Sequence, residues 1–505
     1  MINKTRKWII RISVALTAVF CACGAAACGA PKQLDMPENL QLDGRMLTWD
    51  EVEDADGYAV YVDDQEYIVE DNAFEIPFLA GPKTYQVEVM ALGDWKKTKD
   101  SEWGEIEYIR EAPVEEGVQD GFHLSLLEDM ASYEVVGCDN RKGYLIFPDT
   151  FNDYPITKIA DRLFAPPGEW MRSVNPYTGY LCNVVTTGVK LPCYLEIIGV
   201  EAFEFCFNLQ EVIIPDSVKV IGDCAFRWCQ KVKKIEIPSS LREVGIMAFT
   251  WSLGDMEELI FPDGMESIGE SAFWNGEERT YKSHNAIPAL RKVVIPRSIK
   301  HIGDRAFFSN ENLIEIAVPT DNIETFGWQI FHYTAWYDNQ PEGLVYVDKV
   351  LYGYKGDMPE NYKLIVNADV LGIAGWAFCE ERKLEEVWLA DGVKLLGERT
   401  FDTCTSLTRV RLPADLTCIP AYTFYKTRIQ ELEIPKSVKE IGVATFYYSS
   451  LKRLILEAKC KLESTFSKPF NVLYQGVEYV YSLEKPTEIG DYWHIDEDGY
   501  FAIWE

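Results

Sequence analysis

Histidine is scarce and the commonest catalytic signatures are missing. The 505-residue chain holds five histidines, His123, His284, His301, His332 and His494, scattered without ligand spacing, and its 13 cysteines include no C-x-x-C pair. A structural zinc site needs four convergent Cys or His ligands, so no metal site is expected, and no cofactor is implied. G-x-S-x-G, H-E-x-x-H and P-loop patterns do not occur, so no catalytic residue can be named. Positive charge is also in short supply: 49 Lys and Arg face 80 Asp and Glu, a net charge of -31. Such a surface repels phosphate backbones and anionic head groups, which sets nucleic acid aside as a partner. Acidity of this kind serves solubility. Beyond the N-terminus no long apolar run occurs, so the remainder is expected to be soluble.

What is present begins with an export signal. Lys4, Arg6, Lys7 and Arg11 flank an apolar run from Trp8 to Phe20, followed by small residues and Cys21, Cys23 and Cys28. Ala25-Ala26-Ala27-Cys28-Gly29 resembles the end of a bacterial lipoprotein signal, in which the cysteine becomes lipidated. Cys28 is therefore the expected lipid attachment point, with Cys23 as a second candidate and plain secretory cleavage as the alternative. The expected location is the bacterial cell surface, with membrane contact only through that lipid; a secreted protein is the alternative. Residues 1–28 form the signal and 29–35 a tether.

Residues 36–110 follow a different grammar. Leu47-Thr48-Trp49, Gly57-Tyr58-Ala59-Val60-Tyr61-Val62 and Tyr85-Gln86-Val87-Glu88-Val89-Met90-Ala91 read as short alternating strands between Asp/Gly/Pro turns, a small all-β sandwich. Trp49 before the acidic turn Glu53 to Asp56, with those two tyrosine-bearing strands, resembles the fibronectin type III family. That resemblance implies packing residues and a spacer rather than chemistry. Residues 111–119 read as a linker.

Most of the remaining chain is one unit repeated. Leu209 to Cys229 recurs as Val232 onward, with Ile237-Pro238, Val244-Gly245 and Ala248-Phe249 replacing Ile214-Pro215, Ile221-Gly222 and Ala225-Phe226. Aligned on the aromatic, the copies fall at Phe164, Phe203, Phe226, Phe249, Phe273, Phe307, Phe331, Phe378, Phe401, Phe424 and Phe446, a period near 23 with longer steps of 39, 34 and 47. Each copy predicts a half-buried strand ended by Pro215, a Gly222 turn allowing positive φ or close approach, and Ala225-Phe226 in a helical turn. One copy cannot bury its apolar face alone, so the copies must stack. Cys206, Cys229 and Cys404 each follow the repeat Phe by three and are expected as small apolar fillers, with a Cys206–Cys229 bridge geometrically conceivable.

The x-Ile-Pro-x-Ser-Val-x-x-Ile-Gly-x-x-Ala-Phe-x-x-Cys pattern of Ile214 to Cys229 resembles the BspA-type leucine-rich repeats over roughly 120–460. Asn367, Ala390 and Pro420 depart from it. The resemblance implies a right-handed leucine-rich-repeat solenoid with a parallel sheet on one face, mainly β with short helical turns and preceded by the small sandwich. Residues 461–505 read as a C-terminal cap.

The strand's outward positions hold what function can be read. The first row is Glu211, Lys234, Glu258, Lys292, Glu315, Lys363, Glu386, Arg409, Glu431 and Arg453, alternating in sign without exception. Stacked one coil apart, these residues attract their neighbours, a register device that neutralises the face. The second row is largely apolar in the middle, and Ile213, Ile260, Val294, Ile365 and Trp388 are candidate partner-binding residues. The insertions supply others: Trp170, Tyr177, Tyr281, Trp336 and Tyr337, loop aromatics able to stack on a sugar or peptide. Surface proteins of the resembled type imply adhesion to a protein or glycan. A scaffold without a dedicated ligand, and an enzyme with a site built from the insertion loops, are the alternatives.

Overall fold

The computed structural model describes residues 31–79, 81–139, 143–164, 186–252, 255–275, 289–462, 466–488 and 490–504, with only the backbone of Lys234. Cys28, Trp170, Tyr177 and Tyr281 lie outside these residues. The chain divides into two compact units at Ala112–Pro113.

The first unit is a β-sandwich. Strands Gln41–Asp43, Met46–Thr48 and Ala73–Glu75 form one antiparallel sheet; Gln65–Val69, Gly57–Val62, Lys83–Leu92 and Gly104–Arg110 form the other, in that order. Along Lys83–Leu92, Tyr85, Val87, Val89 and Ala91 point into a core shared with Leu47, Trp49, Tyr58, Val60 and Ile76. The rings of Trp49 and Tyr58 meet edge to face at 5.1 Å. Their polar atoms are provided for unequally: the Tyr58 hydroxyl accepts from the Val52 amide at 2.9 Å, while the Trp49 indole N–H has no protein acceptor. The Tyr85 hydroxyl donates to the Gly81 carbonyl at 3.1 Å and pins the corner that leads into its strand.

The second unit is a stack of coils with three walls. The front wall consists of strands such as Glu211–Ile213, and the second wall of two-residue strands such as Val220–Ile221, both parallel from coil to coil. Glu116–Gln119, Phe122–Leu126 and Tyr133–Cys138 pair antiparallel and close the N-terminal end, burying Phe122 and Tyr133. At the other end Asn471–Tyr474, Val477–Tyr481, Tyr492–Ile495 and Phe501–Ile503 extend the front sheet and bury Trp493 against Phe470.

The third wall differs from expectation. The Ala-Phe segment is no helical turn; the one helix among the described residues is Ala335–Asp338. Instead, at nine of the repeat phenylalanines the residues two before and two after take left-handed backbone, as at Cys224 (φ 55°) and Trp228 (φ 66°) around Phe226, and Met247 (φ 54°) and Trp251 (φ 56°) around Phe249. For non-glycine residues this costs roughly 1 kcal/mol each. The return is a ladder: Cys224, Phe226 and Trp228 donate their amides to the carbonyls of Ile246, Ala248 and Thr250 on the next coil, at 2.7, 2.8 and 3.0 Å. Amides in between bond locally, Arg227 to Cys224 and Cys229 to Phe226. The wall is therefore hydrogen-bonded along the stack without being a strand.

Inside it the repeat phenylalanines form a column. Phe203, Phe226, Phe249, Phe273, Phe307 and Phe331 stack at 5.2–5.6 Å with rings within 14° of parallel. Phe378, Phe401, Phe424 and Phe446 form a second column at 5.8–6.1 Å. Between the columns, the 47-residue step folds as the hairpin Gly343–Val347 with Val350–Lys355. Successive strand residues face opposite ways, so Val350 and Tyr352 enter the N-terminal core while Leu351 enters the C-terminal one. One hairpin thus partitions the array into two cores.

The repeat cysteines also differ from expectation. Cys206, Cys229 and Cys404 are buried free thiols rather than plain fillers. Cys229 Sγ donates to the Phe203 carbonyl at 3.1 Å and Cys404 Sγ to the Phe378 carbonyl at 3.0 Å. At the same position Ser252, Asn310, Thr334, Thr427 and Ser449 donate to the carbonyl of their own coil's Phe. On seven coils the position holds a small donor, and cysteine is one solution; on the Phe378 coil Glu381 takes it. Cys229→Ser is expected to stay within about 1 kcal/mol of the parent, whereas Cys229→Val, which fills the space without donating, loses about 1 kcal/mol more. Thermal melting of the two variants decides; valine equalling serine would return the position to simple filling.

Candidate functional site

The front wall positions the outward side chains by register. Glu211 lies opposite Lys234, Lys292 between Glu258 and Glu315, Glu386 between Lys363 and Arg409, and Glu431 opposite Arg453. Side-chain contacts follow: Lys292 to Glu315 at 3.3 Å, Lys363 to Glu386 at 2.9 Å, and ion pairs from Arg409 to Glu386 and Arg453 to Glu431. Between solvent-accessible partners, as in the Lys292–Glu315 and Arg453–Glu431 pairs, each contributes up to about 1 kcal/mol, so there the row serves register more than stability. Continuity is lost, however. Glu258–Ile260, Lys292–Val294 and Glu315–Ala317 make one three-stranded sheet, and Tyr362–Val366, Leu384–Leu389 and Arg409–Arg411 another.

That division sorts the candidate residues of the second row. Ile260 and Val294 are neighbours in the first sheet, followed by Ala317; Ile365 and Trp388 are neighbours in the second, followed by Arg411. Ile213 stands apart, beside Lys190. Trp388 is 49 % exposed, Ile365 66 %, Ile260 54 % and Ile213 44 %, while Val294 is half-buried. Two separate apolar pairs result.

Trp336 and Tyr337 are placed differently from open loop aromatics. Both lie on the short helix capped by Thr334 and pack against the N-terminal core; Trp336 meets Phe331 at 5.5 Å and Tyr337 stacks on His332 at 4.3 Å. His332 Nδ1 lies 2.9 Å from the Tyr352 hydroxyl, and burial pushes its pKa down to about 4. The ring is thus a neutral packing element at pH 7. Thiols are held protonated in the same way: burial raises Cys379 to about 12, Cys460 to about 12 and Cys224 to about 11, the opposite of an activated nucleophile.

A second charge ladder escaped the sequence reading. Two positions before the buried second-wall residue stand Glu196, Lys219, Arg242, Glu266, Lys300 and Glu324, with Lys219 on Glu196 at 2.7 Å and Lys300 on Glu266 at 2.8 Å. The Lys300 hydrogen bond holds the Glu266 carboxyl below its ordinary range. Its signal was the same 23-residue spacing, read at a position outside the front strand. A shallow groove of about 520 Å³ runs beside it, lined by Arg242, Ser298 and Asn322 with the Lys300–Glu266 pair and Glu324. Its serine is already committed, Ser298 Oγ donating to the Met265 carbonyl at 2.8 Å. Among the described residues no three His, Cys, Asp or Glu side chains converge as a metal site, and no helix is long and apolar enough to cross a membrane.

A stack of parallel coils, each with short strands on two walls and an inward Phe on the third, is a leucine-rich-repeat solenoid. The BspA type leucine-rich repeat region matches six times over residues 196–335 and 363–493, more than half of the chain. The protein belongs to that family. No curated protein matches it. Solved structures similar in part include the following three. A leucine-rich repeat protein of T. pallidum shares 23 % identity, covering 44 % of this chain and 90 % of its own, with a TM-score of 0.35. A leucine-rich cell surface protein of Faecalibacterium prausnitzii shares 20 % identity over 73 % and 96 %, with a TM-score of 0.33. The pneumococcal vaccine antigen PcpA shares 19 % over 74 % and 88 %, with a TM-score of 0.36.

Proposed function

We propose that this is a non-enzymatic binding protein of the bacterial cell surface. In this reading a lipid on Cys28 anchors the chain, residues 36–110 act as a fibronectin type III-like spacer, and the front wall meets a protein or glycan partner. The spacer is supported by its three- and four-stranded sheets and by the Tyr85 corner bond to Gly81. The binding role is carried by one observation: Ile260 with Val294, and Ile365 with Trp388, sit in register on the outward face and expose apolar surface that folding does not use.

The test is a glycan and matrix-protein array probed with the full chain and with a Trp388→Ser, Ile260→Ser double variant. The expected result is a ligand retained by the parent and lost by the variant, with both proteins melting together. Equal binding to every ligand by both proteins would remove the front wall from the function.

A further inference from the structure

The front sheet of Tyr362–Val366, Leu384–Leu389 and Arg409–Arg411 presents two outward columns, Lys363–Glu386–Arg409 and Ile365–Trp388–Arg411. An alternating charge row cut into three-strand sections cannot be neutral in each. Glu258–Lys292–Glu315 carries surplus acid; Lys363–Glu386–Arg409 carries surplus cation, and Arg411 stands beside it. Glu386 is the buried member at 3 % exposure. Its carboxylate takes Lys363 Nζ at 2.9 Å, the Arg409 guanidinium, and the indole N–H of Trp388 at 3.3 Å. One carboxylate therefore fixes a lysine, an arginine and a tryptophan while both cations stay largely exposed. Arg411 donates to the Leu389 carbonyl at 2.7 Å and pairs with Asp391 at 3.3 Å. On the next coil Glu431 is engaged by Arg453, and exposed Glu433 borders the patch.

We infer that this face docks a peptide segment that presents a carboxylate next to an aliphatic or aromatic side chain. The carboxylate meets Lys363 and Arg409, and the apolar side chain lies across Ile365 and Trp388. This rests on the reading of the front wall as the binding surface and names the chemistry of its partner. Charge complementarity favours the position: on a chain of net charge -31 most of the surface repels an acidic segment, and here two exposed cations, Lys363 and Arg409, flank one buried carboxylate. Ile365 selects peptide over sugar. It offers no hydrogen bond, so a pyranose laid on it would surrender hydroxyl hydration without replacement, whereas a leucine or phenylalanine buries apolar area on both sides. Tryptophan and arginine are also the side chains that dominate protein interfaces.

The full chain is titrated with synthetic peptides carrying Glu-Leu pairs, with versions bearing Lys for Glu or Ser for Leu, and with heparin, at low and high salt. The Glu-Leu peptides are expected to bind, and to bind more weakly as salt rises. Trp388→Ser and Lys363→Gln should each weaken binding at least about ten-fold while the protein stays folded. Equal binding of the Lys-for-Glu peptides, no peptide binding at all, or full binding by Trp388→Ser overturns the proposal. Heparin binding that Trp388→Ser abolishes, without peptide binding, overturns the peptide assignment and keeps the front wall as the binding surface. No effect of Trp388→Ser on any ligand overturns both.

Discussion

Phe249→Ala is expected to cost the N-terminal core about 3–5 kcal/mol, among the largest losses any single side-chain truncation can produce in this chain. The ring is fully buried and stacked on both sides, 5.3 Å from Phe226 and 5.2 Å from Phe273. Collapse into the vacated space is resisted because the flanking rings are held by their own coil-to-coil bonds, Phe226 to Ala248 and Phe273 to Ala306, each at 2.8 Å. The space left is closer to a cavity than to a repacked site. In a stack of coils each unit is stabilised chiefly by its neighbours, so the damage should stay local. The hairpin that holds Tyr352 in one core and Leu351 in the other marks the boundary. Calorimetry should show a lowered transition for the N-terminal core and a much smaller shift for the C-terminal one, with Phe401→Ala giving the reverse. A loss under about 1 kcal/mol, or equal shifts in both, would mean that the column does not carry the stack.

The period of 23 was legible because each copy meets its neighbour at the same register, so a pattern in sequence is a row in space. Glu386 between Lys363 and Arg409 is that logic made visible. Handedness was not legible. Cys224, Trp228, Met247 and Trp251 adopt left-handed backbone although none is Gly, Asn or Asp, because the bonds to the next coil outweigh the local preference. The Ala-Phe pair lacks a 3.6-residue period, and a helical turn there had no support from periodicity. The two cores were hidden for another reason. Nothing in Val350-Leu351-Tyr352 reveals which core each residue enters until the strands on both sides are known. Trp336 and Tyr337 read as open loop for the same reason, since their packing partners, Phe331, His332 and Tyr352, are assembled by the hairpin. The candidate residues of the front wall were legible as a row, but its division into sheets of opposite net charge was not.

Gly269→Ala is expected to be nearly as damaging as the loss of a phenylalanine, for the opposite reason. A Cβ at Gly269 would lie 2.4 Å from the Gly245 carbonyl carbon and 2.5 Å from the Ile246 nitrogen, both backbone atoms that cannot rotate away. Its φ is not in the left-handed region, so close approach alone excludes a side chain. Restoring ordinary contact requires the two coils to part by about 1 Å. That movement stretches the bond from Gly269 N to Val244 O and the one from Met247 N to Glu270 O, each 2.8 Å. Overpacking costs about 1–3 kcal/mol and each weakened hydrogen bond up to about 1 kcal/mol, so a loss of about 3–4 kcal/mol is expected. Gly476 provides the contrast. It has φ +83° with nothing within 4 Å of a Cβ, so Gly476→Ala meets only backbone strain of roughly 1–2 kcal/mol. Thermal melting of the two variants should therefore rank Gly269→Ala well below Gly476→Ala; the reverse order would show that the coils are not held at contact by their glycines.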